Sequence, residues 1–291
     1  MIGRRVVTAP VATVWTYPDA PRDVDAPAAA DVPDIAAWTS AMSLDVRLGL
    51  HGRVDTQALA GEPVDVLAEQ GLWSQVRLPW QPGPEAGGYP GWVRTAHLGP
   101  VLPEAGESVV VTATPTTMAL TASGTVQLSY ATVLRRLRDA EEPLGRMAVR
   151  LADGRVGQIH ADDVRPWPRP LDAPALLHSV RRHVGLPYLW GGTSGHGMDC
   201  SGLVHLTLRT YGVTVPRDAA DQYEALAAVD IADVRAGDVY FFAPPDTPPT
   251  HVGWVSQPGR LLHASEGRDI EDVPMTTERT STLMAAARPV G

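Results

Sequence analysis

The chain has 291 residues, an apolar fraction of 44% and a net charge of −9. That length exceeds one ordinary core and asks for two or three domains, and the composition is that of a folded chain rather than a disordered one. The acidic balance excludes a generally basic nucleic-acid binder, and no run approaches the roughly 20 apolar residues of a membrane span; no nucleic-acid or membrane partner is expected.

Residues 4–17 read as extended, with Val6, Val7, Val11, Val14 and Trp15 interrupted by Pro10 and closed by Pro18 and Pro21. Over about 26–50 the character changes. Ile35, Trp38 and Met42 fall at helical spacing behind a candidate N-cap, Asp34, which predicts a helical insertion in a β domain. Short alternating strands return from Val54, through Pro63-Val-Asp-Val-Leu, Leu72-Trp-Ser-Gln-Val-Arg-Leu and Gly88-Tyr-Pro-Gly-Trp-Val93. Residues 101–168 look like a second, degenerate copy. Val76-Arg-Leu78, Gly91-Trp-Val93 and His97 are echoed by Val149-Arg-Leu151, Gly157-Gln-Ile159 and His160. The echo predicts tandem small β-barrels. Pro166-Trp-Pro-Arg-Pro170 is a stiff linker.

The last domain starts near Leu171. Asp172 caps a predicted helix with Leu176, Leu177, Val180 and Val184 on one face, ended by Gly185. A glycine-rich run then leads to Cys200, the single cysteine of the chain, and a helix with Leu203, Val204, Leu208 and Tyr211 leaves it. A third helix is predicted from Asp218 to Ala228, followed by strands around 238–242, 251–255, 260–264 and 270–273. Helices first and strands after make an α+β layout. Without an apolar h-region behind Arg4 and Arg5, and with one cysteine, a cytoplasmic monomer is expected.

A thiol at a helix start meets free N–H groups and the helix dipole, which favour a thiolate. A nucleophile of this kind needs a base and a group that orients it. Of the nine histidines, His51, His97 and His160 lie in the β domains. His178 and His183 suit a solvated face or a dipole contact, and His205 points to another side of the helix from Cys200. His196 lies in the glycine loop, as a turn residue or on a substrate rim. His251 and His263 fall on successive strands and share a face if those strands pair.

These residues carry a resemblance. Gly185-Leu-Pro-Tyr-Leu-Trp-Gly-Gly, Asp199-Cys-Ser-Gly-Leu-Val, Val215-Pro-Arg-Asp218 with Gln222, Ala236-Gly-Asp-Val-Tyr-Phe-Phe, His251-Val-Gly and Leu262-His-Ala-Ser resemble, in order, the blocks of the NlpC/P60 cysteine peptidases. The resemblance implies a papain-like α+β fold with Cys200 as nucleophile, His251 as base and His263 as its orienting group. It further implies Tyr188 and the Cys200 N–H as the oxyanion site. Ala12-Thr-Val-Trp-Thr, Asp55-Thr-Gln-Ala-Leu-Ala-Gly-Glu-Pro-Val, Gly71-Leu-Trp and Gly88-Tyr-Pro-Gly-Trp resemble the first bacterial SH3 domain of the YkfC-type γ-D-glutamyl-L-diamino acid endopeptidases. The implied domains are SH3-like at 1–100, SH3-like at 101–168 and catalytic at 169–291.

By that resemblance the enzyme cuts after D-Glu in free murein peptides, L-Ala-γ-D-Glu-(L-Lys or meso-diaminopimelate), with no cofactor or metal, in peptidoglycan recycling. Asp55 and the Tyr89 hydroxyl would take the free α-amine; Asp199, Ser201 and Asp218 would hold D-Glu by hydrogen bonds. Asp55 stands where the family usually has glutamate, and Ala219 where it often has serine. On their own, Asp55 reads as a turn cap and Tyr89 as a barrel-core aromatic. Two alternatives share the motifs: a wall-peptide-binding module with an inactive peptidase domain, and an acyltransferase or amidase of the same fold. Three-ligand zinc binding by Cys200, His251 and His263 lacks the usual short ligand spacing.

Overall fold

A computed structural model describes residues 2–83, 86–103 and 106–289; the expected chain limits at 1 and 291 lie outside them. Alternating valines build the first sheet from β1 (Gly3–Val7), β2 (Val11–Trp15), β3 (Val54–Leu59), β4 (Pro63–Gln70), β5 (Trp73–Leu78), β6 (Tyr89–Arg94) and β7 (Leu98–Gly99). The order is β3-β2-β6-β5-β4-β1-β7, around Val7, Val14, Val66, Val76 and Val93. Between β2 and β3 lie α1 (Ala26–Ala29), α2 (Ile35–Ala41) and α3 (Leu44–Leu48). Asp34 caps α2 by accepting from the Ala37 N–H. Trp38 of α2 is fully buried, tilts onto Trp15 at 6.1 Å and donates its indole N–H to Asp25.

The second sheet comprises β8 (Glu107–Val111), β9 (Thr116–Thr121), β10 (Gly124–Ser129), β11 (Val133–Arg136), β12 (Arg146–Arg150), β13 (Val156–His160) and β14 (Val164–Pro166). Its order, β10-β9-β13-β12-β11-β8-β14, is that of the first sheet strand for strand. The echoed motifs fall accordingly, on β5 and β6 in one sheet and on or beside β12 and β13 in the other.

The expected closed barrels are not what the hydrogen bonding shows. Both orders are open, with β3 and β7 at the edges of the first sheet. The edge of β3 is instead taken by Trp190 and Thr193 from later in the chain. Trp190 Nε1 donates to the Val54 carbonyl at 3.1 Å, Thr193 Oγ1 donates to the Gln57 carbonyl at 2.7 Å, and the Gln57 N–H reaches Thr193 Oγ1. A covered edge has no need to close on itself.

The remaining chain forms α4 (Ala173–Arg181), the ribbon β15 (Thr193–Ser194) and β16 (Gly197–Met198), α5 (Cys200–Arg209), α6 (Ala219–Ala225), β17 (Ala227–Val229), β18 (Val239–Phe242), β19 (His251–Gln257), β20 (Arg260–Ala264), β21 (Ile270–Pro274), α7 (Thr277–Thr282) and β22 (Leu283–Arg288). The sheet order is β17-β22-β18-β19-β20-β21, an α+β arrangement. Every residue of α5 is buried. Its far end is tied to the first sheet by the Arg209–Glu62 pair, in which both side chains are nearly inaccessible. The helix expected at 218–228 stops at Ala225, because 227–229 pairs with β22. Among the described residues no helix is long and apolar enough to cross a membrane.

Candidate active site

Cys200 is the first residue of α5, and its N-cap is Asp199, whose Oδ1 accepts from the Gly202 N–H at 2.7 Å. The glycines around it serve close approach. A Cβ on Gly202 would lie 2.3 Å from the Gly192 carbonyl oxygen, and one on Gly195 would lie 1.8 Å from that of Pro115. The Gly195 N–H also donates to Ser129 Oγ of the second sheet. With Thr193 bonded to β3, the loop before Cys200 is wedged between both N-terminal sheets.

The helix start is as expected, but the thiolate does not follow from it. Burial, then the nearby Asp199 carboxylate, pushes the Cys200 thiol up to about 12, against the opposing pull of the Val252 and Ser201 N–H groups and Arg217. A helix end is worth about 1 kcal/mol, less than the cost of desolvating a charge. Val252 adjoins His251 on β19. The predicted pairing of β19 with β20 is present, and His251 Nε2 lies 2.8 Å from His263 Nδ1. Burial, His263 and Arg279 hold His251 well below the usual imidazole range. Burial disfavours either charge alone. The two facing nitrogens also occupy each other, leaving them unavailable as a paired metal grip.

Beside the thiol runs a cleft of about 370 Å³ lined by Asp55 and Tyr89 from the first sheet and by Tyr188, Asp199, Cys200, Ser201, Asp218 and Ala219. The site therefore spans two domains. Tyr188 is 8% exposed, and burial followed by Cys200 keeps its phenol protonated. The Tyr89 hydroxyl donates to Asp218 Oδ2 at 2.8 Å. Asp55 has no hydrogen-bond partner for its carboxyl among the described residues; burial, then repulsion from Asp218, raises it to about 6, with Arg217 pulling the other way. Asp218 is likewise raised by burial, against Arg217 and Tyr89.

The residues that the resemblance assigns to D-Glu already have partners in the fold. Asp218 stands with Asp55 and Tyr89 in the cleft and accepts from the Tyr89 hydroxyl. Asp199 is engaged elsewhere. It caps α5 and pairs with Arg217 through both oxygens, Nη1 to Oδ1 at 3.0 Å and Nη2 to Oδ2. Ser201 is also committed, donating to Asp199 Oδ1 at 3.2 Å and accepting from Arg217 Nη1 at 3.0 Å. Arg217, 1% exposed, is the residue that sequence reasoning passed over. It also donates to Thr56 Oγ1 on β3. Burial works against its charge, but Asp199 outweighs it. The signal was an arginine beside Asp218 in an otherwise apolar Val215-Pro run.

Four of the other histidines, His51, His97, His183 and His205, are held by contacts within the fold. His183, expected on a solvated face or at a dipole, is 2% exposed, past the end of α4 and edge-on to Tyr130 at 4.5 Å. His205 bonds the Val215 carbonyl, and His97 the Ala30 carbonyl. His196 is not among the cleft-lining residues. His51, following α3, stacks on Trp190 at 3.6 Å and bonds Glu266 at 2.7 Å, closing the rim between the two domains. Arg47 of α3 donates to the Tyr188 carbonyl.

Residues 185–288 match the model of the NlpC/P60 family, and residues 49–98 that of the bacterial dipeptidyl-peptidase Sh3 domain. The chain is 35% identical over 290 residues, 97% of each partner, to a γ-D-glutamyl-L-lysine dipeptidyl-peptidase of Bacillus subtilis (strain 168). It is 32% identical to a protein of the same name from Bacillus cereus, covering 95% of this chain and 88% of that one. A crystal structure of an NlpC/P60 family protein from Bacillus cereus superposes with a TM-score of 0.92 at 31% identity, over 99% of this chain and 100% of the other.

Proposed function

The chain belongs to the NlpC/P60 family of cysteine hydrolases, and from that premise we propose that it is a dipeptidyl-peptidase of free murein peptides, L-Ala-γ-D-Glu-(L-Lys or meso-diaminopimelate), acting in cytoplasmic recycling of wall fragments. The observation that carries this reading is the meeting of Asp55, Tyr89 and Asp218 in the lining of the cleft. Asp55, the Tyr89 oxygen and Asp218 make a group of acceptors with no cation among them except the paired Arg217. An ammonium is the ligand that relieves their mutual repulsion. A peptide with its α-amine there presents the next amide carbonyl but one toward Cys200. Because the alanine of intact murein is acylated, such a site selects released fragments.

In the reaction, His251 Nδ1 takes the Cys200 proton and the thiolate attacks the γ-glutamyl carbonyl. The Tyr188 hydroxyl and the Cys200 N–H stabilise the oxyanion. His251 returns the proton to the departing amine of the diamino acid, leaving a thioester. Water, deprotonated by His251, then releases L-Ala-D-Glu and regenerates the thiol. His263 orients His251. Asp199 and Arg217 hold Ser201 beside the D-Glu portion, with Ala219 offering no hydroxyl of its own. We further read 1–100 and 101–168 as two SH3-like domains, the first interrupted by α1–α3, and 169–291 as the catalytic domain; the shared strand order of the two sheets supports the repeat.

The test is incubation of the reduced protein with L-Ala-γ-D-Glu-L-Lys and its meso-diaminopimelate counterpart, read by mass spectrometry. Release of L-Ala-D-Glu from either is expected, with little from the N-acetylated peptides. No cleavage of either free peptide refutes the reading; equal cleavage of the acetylated ones removes the amine gate. An acyltransferase is distinguished by products that carry an added amine in place of free L-Ala-D-Glu.

A further inference from the structure

β20 and β21 are antiparallel neighbours, and their register sets His263 directly opposite Glu271. Glu271 Oε1 lies 3.4 Å from His263 Nε2, with 2% of the histidine side chain and 27% of the glutamate exposed. Among the described residues this is the carboxylate in contact with the histidine pair. The charged groups facing the pair from other elements are cations: Arg279 of α7 lies over Phe242 at 5.7 Å, Phe242 lies 5.7 Å from His251, and Arg268 reaches Glu271 Oε2 at 3.8 Å.

The 2.8 Å contact between His251 Nε2 and His263 Nδ1 has two possible proton arrangements. If His251 carries its hydrogen on Nε2, Nδ1 is bare and able to take the thiol proton. His263 must then accept at Nδ1 and carry its own hydrogen on Nε2. In the reverse arrangement His263 donates from Nδ1, and His251 bears its hydrogen on Nδ1, where it is no base toward Cys200. The second nitrogen's partner decides between tautomers, and the carboxylate beside that nitrogen of His263 is Glu271.

We propose that Glu271 is a positioning residue of this relay: its carboxylate accepts the His263 Nε2–H and so selects the tautomer that leaves His251 Nδ1 free to act as base. The inference rests on the catalytic reading above, but its central claim is open to measurement without substrate. Because burial, Arg279 and Arg268 hold His263 down to about 3, the ring is neutral near pH 7 and one tautomer is defined. Two-bond 1H–15N spectra of the substrate-free, 15N-histidine-labelled protein should show His263 protonated on Nε2. Glu271→Ala should bring up the Nδ1-protonated form and lower kcat about tenfold with KM within about twofold, the size of effect outer orienting groups have on a catalytic histidine. Glu271→Gln, whose amide oxygen accepts the same N–H, should restore kcat to within about threefold of the original. His263 protonated on Nδ1 in the unmodified protein overturns the proposal, as does an Ala variant with unchanged tautomer and kcat. If Glu271→Ala does not fold, the unmodified protein's spectrum and the Gln variant decide. A protein inactive on the tripeptides but with the Nε2 tautomer defeats the catalytic reading alone.

Discussion

Replacing Asp55 by asparagine should weaken substrate binding and stabilise the empty protein, two effects of opposite sign from one charge. The Asp55 carboxyl is raised from 3.8 to about 6 by burial and Asp218. A carboxyl raised on folding binds protons more tightly in the native state, so its ionisation destabilises the fold above pH 6 and does nothing below about pH 4. Carrying it from 3.8 to about 6 corresponds to about 3 kcal/mol at full strength, and to about 1–2 kcal/mol once solvent screening at this half-buried side chain is allowed for. Asp55→Asn should therefore raise the melting temperature by about 2–4 °C per kcal/mol regained at pH 7, and by almost nothing at pH 4. The same substitution removes a charge-assisted contact to the substrate amine worth about 1.5–3 kcal/mol, so KM should rise roughly 10- to 150-fold. In the unmodified enzyme KM should climb about tenfold per pH unit below 6, because the protonated carboxyl must lose its proton to bind the ammonium; in the asparagine variant this limb should vanish. Thermal unfolding at both pH values and steady-state kinetics on the tripeptide are the assays. A variant that is destabilised at pH 7, or stabilised equally at pH 4 and 7, refutes the reasoning.

Cys200→Ala should abolish turnover while lowering the melting temperature only slightly, since it removes one sulfur atom from the core; residual peptide release by mass spectrometry would count against the nucleophile. Arg217→Met should cost about 3–5 kcal/mol at neutral pH, because it leaves the Asp199 carboxylate buried without its partner; denaturant titration measures this, and a loss under about 1 kcal/mol contradicts the pairing. Gly195→Ala, whose Cβ would meet the Pro115 carbonyl at 1.8 Å, should cost about 1–3 kcal/mol by forcing the loop off the second sheet. Proteolysis of the 101–168 region should quicken in that variant, and an unchanged cleavage rate would mean the loop gives way without cost.

Much of the fold was legible because it is written in short-range pattern. Asp34 and Asp172 each cap the helix that follows them, as apolar spacing and cap chemistry require. The period-two valines put His251 and His263 on neighbouring strands. The echo of Val76-Arg-Leu and Gly91-Trp-Val at 149–159 marked two sheets of equal strand order, though not that their edges stay open: the partner of β3 is Thr193, 136 residues away.

The sequence by itself determined the place of Cys200 at a helix start, the pair of histidines and the order of the elements, because propensity, capping and periodicity act over a few residues. Tertiary structure alone decided the protonation of those groups and the composition of the cleft. Asp55, Tyr89 and Asp218 meet only when the first sheet docks beside α5, and Arg217 becomes a buried partner of Asp199 only when β3 closes over it. Desolvation and charge proximity depend on which distant surfaces come together. A thiol that local chemistry marks as readily ionised is therefore pushed toward its protonated form by the surroundings the fold gives it.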